Sequence, residues 1–360
     1  MRHVIRQHAT ERPVRICLLI LFCLLYCGTS AYSAEDGEFT KLEENVFARI
    51  VNPDGNAVGN SGVVILEHSV LVFDTHFTPE AGQQLFAAIR AVTPKPVRWV
   101  VVSHGHPDHT HGNQAFGDAQ VMGSAAARRD VLESDLPSLN RTVGITRSQL
   151  ESLRRDLNRE KNPAQAKRLL EQIKPREDYL KTMSGLKITA PSLTIEDGAR
   201  IRDGKPEVRI LYLGKGHTDG DVVLYLPAQK IVFTGDLFFN EAIPNVQDAS
   251  ILEWMKTLKE LLKLEADRFV PGHGAVGTRK DVEKFAAYFE ELRVAVKEAL
   301  DRGDSMEQVT RDTMLPAKYS SCRFQNFFPT NVQKMYAELK ALQLSEVPPK
   351  TPAPKPIPNK

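Results

Sequence analysis

The sequence predicts a layered α/β fold, and three observations carry that prediction. Runs rich in valine and isoleucine, broken by turn chemistry, fill the stretch from Val46 to Asp74. A helical pattern and then a nearly continuous apolar run follow at once, which is the order of a βαβ unit. Strand patterns return after position 190, beyond a long helical stretch, so a second set of strands closes the architecture.

In chain order, strands are expected at Val46–Val51, Gly62–Leu66 and Val70–Asp74. The glycine- and asparagine-rich connection Asn52–Gly62 separates the first two and is expected to be mobile. Thr78–Val92 places Leu85, Phe86 and Ile89 at helical spacing. Val97–Ser103 is apolar almost throughout, as a strand covered on both faces should be. From about residue 125 to 185 the chain turns to Arg, Lys, Glu and Leu. Leu150, Leu153 and Leu157, then Leu169, Leu170 and Ile173, mark two or three amphipathic helices broken near Pro137 and Pro163. Their charges read as solvated faces, with a cap beside the active site as the alternative.

Later strands are expected at Leu193–Ile195, Val208–Leu213, Val222–Leu226, Lys230–Phe233 and Arg268–Val270. Helices are expected over Ser250–Leu264, Lys280–Arg302, Met306–Thr313 and Asn331–Leu344. The organisation read from this is a catalytic domain over 40–303, a helical insertion at about 125–185, a C-terminal helical extension over 304–346 and a Pro-rich tail from 347 to 360.

The first 34 residues read as a removable secretory signal. Arg2, Arg6, Arg12 and Arg15 precede the apolar run Ile16–Cys27, which is short for a permanent span, and small residues follow at Ser30, Ala31 and Ala34. A periplasmic or extracellular home is the expectation, with a membrane partner only if the signal stays uncleaved. This segment holds four arginines and one glutamate, so its loss turns the formal net charge from +2 to −1. No basic excess is left to attract nucleic acid. Three of the four cysteines leave with it, and Cys322 alone cannot form an intramolecular disulfide.

Four histidines crowd into Ser103–Asn113, at His104, His106, His109 and His111, with Asp108 among them. Imidazole and carboxylate donors at this density suit Zn²⁺ and its neighbours. Three further donors stand in matching contexts, each directly after a glycine at the end of an apolar run: His217, Asp236 and His273. Four strand ends can therefore converge on one edge of a sheet, where ligands of open α/β folds gather.

The His-x-His-x-Asp-His core, with later Gly-His, Gly-Asp and Gly-His elements in order, resembles the metallo-β-lactamase superfamily from Val46 to about His273. The resemblance implies a four-layer αββα sandwich and two zinc ions per chain, with iron or manganese as the alternatives. It implies His104, His106 and His217 at the first metal, Asp108, His109 and His273 at the second, and Asp236 between them. Asp74 matches the acidic residue that supports the ligands, and His111, where many members have glycine, is a second support or an ordinary loop histidine. Asp108 and Asp236 are the expected catalytic carboxylates.

The chemistry so implied is hydrolysis of an ester, thioester, lactone or amide, β-lactams included, by a water activated between metals about 3.5–4 Å apart. The substrate is a small molecule, and the Asn52–Gly62 loop resembles the family's substrate flap or is a plain hairpin turn. Phe238, Phe239 and Asn240 line the pocket or the two phenylalanines are core, and Lys215 is a solvated loop lysine or meets an anionic substrate. Many zinc β-lactamases carry cysteine or serine near the place of Asp236, whereas thioesterase and lactonase branches keep aspartate. Two other classes stand beside this reading: an iron-dependent redox enzyme like the persulfide dioxygenases, and a non-catalytic metal-binding module. The sequence carries no signal for oligomeric state.

Overall fold

The computed structural model describes residues 38–346, so the expected signal and Pro-rich tail lie outside the described residues. The chain opens with β1 (Thr40–Glu43), β2 (Val46–Arg49), β3 (Ser61–Ile65) and β4 (Val70–Phe73), joined antiparallel in sequence order. Helix α1 (Pro79–Val92) starts where Thr78 accepts the Ala81 N–H, with Pro79 in its first turn. It crosses to β5 (Val97–Val101), which pairs parallel with β4 and completes the expected βαβ unit. The short α2 (Pro107–Thr110) and a 3₁₀ turn lead to β6 (Gln120–Ser124).

The helical insertion comprises α3 (Ala125–Asp130), a π-turn over Val131–Asp135, α4 (Leu136–Arg159) and α5 (Pro163–Met183). Pro163 lies in a first turn after the extended Asn162, where the missing N–H costs nothing. The backbone instead stays helical from Ala125 through the π-turn and past Pro137, so the break expected there is not made. After it come β7 (Leu193–Ile195), β8 (Gly198–Ile201), β9 (Val208–Tyr212), β10 (Val222–Leu226) and β11 (Ile231–Phe239). The chain ends through α6 (Ile251–Leu261), β12 (Arg268–His273), α7 (Arg279–Asp301), α8 (Met306–Asp312) and α9 (Phe328–Glu346).

Two sheets result, in the orders β1-β2-β3-β4-β5-β6-β7 and β12-β11-β10-β9-β8. Strand alternation sorts their side chains into three apolar layers. On β10, Val222, Leu224 and Leu226 join Leu71, Phe73 and Val101 between the sheets, while Val223 and Tyr225 face the opposite way. The outer face of the first sheet is covered by Leu85 and Ile89 of α1. The outer face of the second is covered by Trp254 and Leu258 of α6, Phe285 and Phe289 of α7, and Val332, Met335 and Leu339 of α9. This is the αββα sandwich the sequence resemblance implies.

Several elements escaped the sequence reading. Strands β1, β6 and β8 are short and partly exposed, so they lack a strong apolar run. Strand β11 continues six residues past its expected end at Phe233, because Asp236 is carried inside the strand. The 304–346 extension is not a separate body: Val309, Tyr319, Phe328 and Met335 belong to the same apolar cluster as Trp254. Among the described residues, no helix is long and apolar enough to cross a membrane.

Candidate metal centre

Each of the five inward histidines reaches the site from a strand end or the turn just after one. Strand β5 stops at Val101, and the following residues descend through Ser103 and His104 into α2, whose first turn carries Asp108 and His109. Pro107 presets the helical φ there, so four donors, His104, His106, Asp108 and His109, are offered within six residues. On the second sheet, the β11/β12 ladder slips register at Gly235 and again before Phe239, around Asp236. Gly272 lets β12 pass close by: a Cβ at this position would lie 1.8 Å from Asp236 Oδ1. Only hydrogen fits, and His273 follows directly.

The donor atoms meet. His104 Nε2 and His217 Nε2 lie 3.0 and 2.9 Å from His106 Nδ1. Nitrogens bound about 2.0–2.1 Å from a tetrahedral zinc stand about 3.3 Å apart, so this trio has nearly the span a zinc ion requires. Beside it, Asp108 Oδ2 lies 3.4 Å from His109 Nε2 and 3.2 Å from His273 Nε2. Asp236 touches both groups, with Oδ1 3.2 Å from His109 Nε2 and Oδ2 3.3 Å from His217 Nε2 and 3.4 Å from His273 Nε2. The sets His104/His106/His217, His104/His109/Asp236 and Asp108/His109/His273 each hold their donor atoms within 4.8 Å of one another.

Outer partners fix how the rings point. His104 Nδ1 lies 2.9 Å from Ser103 Oγ, His106 Nε2 lies 3.1 Å from Asp248, and His109 Nδ1 lies 2.9 Å from Asp74 Oδ2. In each ring the nitrogen opposite the partner faces the cluster, which selects the tautomer able to bind a cation. Asp74 also accepts the Ser103 N–H at 2.7 Å, so one carboxylate braces the strand end and the ring together. Asp248 was missed in the sequence reading. It lies 142 residues from His106, in a loop without apolar pattern or glycine before it, and only the fold pairs them.

Negative charge is concentrated here. Burial opposes charge on His109 and His273, yet Asp108, Asp236 and Asp74 push His109 well above the ordinary histidine value, and Asp236 and Asp108 raise His273 to about 9. Without a metal, protons on these rings balance the carboxylates, and a cation would take their place. Burial raises the cost of charge on Asp236, yet His273, His109 and His217 reverse this and hold its carboxyl well below the usual range. Burial acts on Asp108 likewise and is overcome by His109 and His273. His104 is pushed well below the ordinary histidine value by burial and by the imidazoles of His109 and His106. Ionised carboxylates ringed by imidazoles thus persist in a desolvated place, which otherwise costs several kcal/mol per ion. His109 Nε2 and Asp236 Oδ1 are buried and make no hydrogen bond among the described residues. The donors present fit two divalent cations.

Other residues fall elsewhere. His111 turns away from this cluster: it is buried, its Nε2 lies 3.0 Å from Asp135 Oδ2, and its ring stacks on Phe77 at 5.5 Å. It ties the root of the insertion to the histidine loop. Phe77 also meets the apolar group Leu139, Tyr179 and Met183, so the insertion is anchored at its base, while pairs such as Arg154–Glu177 and Lys174–Asp178 face solvent as expected. Phe238 and Phe239 are core, although Phe239 stacks on His273 with ring centres 5.2 Å apart. Lys215 is exposed and pairs with Asp219 at 3.1 Å. His68 is an exposed histidine held by Asp203 at 2.8 Å, and Cys322 is a buried free thiol.

The Asn52–Gly62 connection is two things at once. Its tip, Asn52 to Asn56, is mostly exposed. Its second half is clamped: Asn60 accepts the Val51 N–H and donates its amide to the Pro271 and Gly274 carbonyls at 2.9 Å. His76 adds a further tie, with Nδ1 2.7 Å from the Gly59 carbonyl. Burial and the charge of Arg49 push this histidine down to about 3, so it stays neutral and its Nδ1–H donates to that carbonyl. The expectation of a mobile flap therefore applies to the tip alone.

Converging histidines and aspartates at the rim of an αββα sandwich define a metal-dependent enzyme scaffold, and comparison with known proteins narrows the class. The sequence profile of the metallo-beta-lactamase superfamily matches residues 54–273. The chain belongs to the metallo-β-lactamase superfamily, which places it among metallo-hydrolases. It is 23% identical to the linear primary-alkylsulfatase of Pseudomonas sp. (strain ATCC 19151), over 60% of this chain and 41% of that protein. It is 33% identical to the metallo-beta-lactamase type 2 of Bacillus cereus, over 24% of this chain and 35% of that one. The chain thus spans less than half the length of either relative. In structure it is similar to the metallo-beta-lactamase from Pontibacter korlensis, with a TM-score of 0.51 and 20% identity over 70% of this chain and 98% of that chain.

Proposed function

We propose that this protein is a dinuclear zinc hydrolase that cleaves an ester, thioester, lactone or amide bond of a small molecule. The observation that carries the reading is the pair of donor groups sharing Asp236: three histidine nitrogens on one side, and Asp108, His109 and His273 on the other. His104, His106 and His217 would hold one ion and Asp108, His109 and His273 the second, with Asp236 in contact with both. Two zinc ions so placed would supply a water acidified towards neutrality and an electrophile for the substrate's oxygen.

The chain's own residues do the remaining work. Asp74, Asp248 and Ser103 keep three ligand rings from rotating, so the site is organised before substrate arrives. Asp108, the more exposed of the two inner carboxylates, would hold the second ion through Oδ2 and help orient a water beside it. Phe239 and Trp254, within 5.7 and 5.5 Å of the His217 ring, keep water from the back of the cluster and strengthen every charge interaction in it. Export through the N-terminal segment belongs to the same proposal, and cell fractionation tests it.

Relatives named for alkylsulfate and β-lactam cleavage both match this chain, so the scissile bond is chosen by the walls around the metals. The test is elemental analysis of the purified full chain followed by a hydrolysis panel of acyl thioesters, lactones, a chromogenic cephalosporin and sulfate esters. About two zinc ions per chain and turnover of one class are expected. Iron with no hydrolysis would reject the proposal in favour of redox chemistry.

A further inference from the structure

We infer that the C-terminal extension builds part of the substrate site, and that Phe324 is a specificity-determining residue which receives an apolar or aromatic group of the substrate beside His273. The inference rests on the hydrolase reading above and adds the kind of substrate it takes. The ring of Phe324 stands edge-on to that of His273, with centres 6.0 Å apart and planes at 88°. The face of His273 is already covered by Phe239, which stacks on it and is buried. Phe324 is different: it packs against the core cluster but stays half-buried. Phe327, also half-buried, lies 6.1 Å further on and extends the same aromatic surface.

The placement of Phe324 is enforced. Its φ is +59°, a left-handed conformation that costs a residue with a Cβ about 1–2 kcal/mol. Such strain persists only where neighbours over-determine it, and it gathers at functional sites. Here the neighbours are the chain just past β11 and the tip of the Asn52–Gly62 loop. The Arg323 N–H donates to the Glu241 carbonyl, and the Arg323 carbonyl accepts the Ile243 N–H, each at 2.9 Å, just beyond the end of β11. The Arg323 guanidinium pairs with Asp54 at 2.7 Å, in the exposed tip of the Asn52–Gly62 loop. The segment is therefore fixed by backbone bonds to the chain just past the strand that carries Asp236, and it touches the loop that flanks His109 through one exposed ion pair. A ring held at such cost, beside a proposed metal ligand and still partly exposed, is suited to meet an apolar group.

The experiment uses the zinc-loaded full chain and two thiols that bind metal through sulfur: mercaptoacetate, and 2-mercapto-3-phenylpropanoate, which adds an aromatic arm. Calorimetric titration of wild type should show the phenyl compound binding about tenfold or more tightly, as expected for burying an aromatic group. Phe324→Ala should remove most of that preference while zinc content and mercaptoacetate affinity stay unchanged. Phe324→Gly, which accepts the left-handed backbone freely, repeats the test should the alanine variant fold poorly. The same phenyl preference in wild type and variants, or none in wild type, overturns this inference and leaves the hydrolase reading standing. Failure of both thiols to bind zinc-loaded wild type would overturn this inference, and the measured zinc content would still decide the metal site. Thiol binding without hydrolysis of any panel substrate would remove only the hydrolase reading.

Discussion

At the scale of single residues, the donors are not interchangeable. His104 belongs to two of the three donor sets and Asp236 reaches both groups, so each is a point where the whole centre fails. His104→Ala or Asp236→Ala is expected to lower zinc content by at least one ion per chain and turnover by 10³-fold or about that. Circular dichroism should remain that of wild type, and undiminished turnover in either variant would refute the assignment. His76 offers a pH test. Its folded value, about 3, lies below its ordinary 6.5, so the fold favours the neutral ring. The stability it contributes is full above pH 6.5 and is lost as pH falls from there towards 3, by up to about 1.4 kcal/mol per pH unit. Chemical unfolding with chelator present, at pH 7.5 and 4.5, should therefore show a smaller acid loss in His76→Gln than in wild type. Equal losses would mean that another group carries the acid sensitivity.

At the scale of elements, the loop after β2 and the turn after β5 depend on each other. A Cβ on Gly59 would lie 2.7 Å from the Asp108 carbonyl oxygen and 2.9 Å from His109 Cε1. The loop cannot retreat, because Asn60 is bonded to the β12 turn and His76 to Gly59 itself. Gly59→Ala should therefore displace His109 at a cost of about 1–3 kcal/mol. A competitive chelator titration would read this as zinc affinity weakened tenfold or more, and wild-type affinity would show that the loop yields instead. The insertion behaves otherwise. It meets the histidine loop through His111–Asp135, through Phe77, and where Ala127 and Asp130 press against Gly105, while its outer turns carry exposed ion pairs of little energetic weight.

At the scale of the whole molecule, the extension past Gly303 decides stability. Val309, Val332, Met335, Tyr336 and Leu339 are buried against α6 and α7. Loss of one such side chain typically costs about 2–5 kcal/mol, and a whole domain is stable by only about 5–15 kcal/mol. A chain ending at Gly303 is therefore expected to be insoluble or to unfold without a cooperative transition in a thermal melt. A soluble truncation with a sharp melt would show that the first 303 residues fold alone. The expected boundary at this glycine marks a turn, with φ +83°, and not the edge of an independent unit.

The layered α/β class, the βαβ unit and the seven inward donors were legible in the sequence by itself, because strand alternation, helical spacing and a glycine before each late donor are local signals. What remained hidden depends on chain segments far apart. Asp248 as the partner of His106, the diversion of His111 to Asp135, the clamping of Gly59 by His76, and the pairing of Arg323 with Asp54 leave no periodic trace. Local periodicity fixes which face of an element is apolar. Which polar groups must satisfy one another in a dry interior is settled only when packing brings them together.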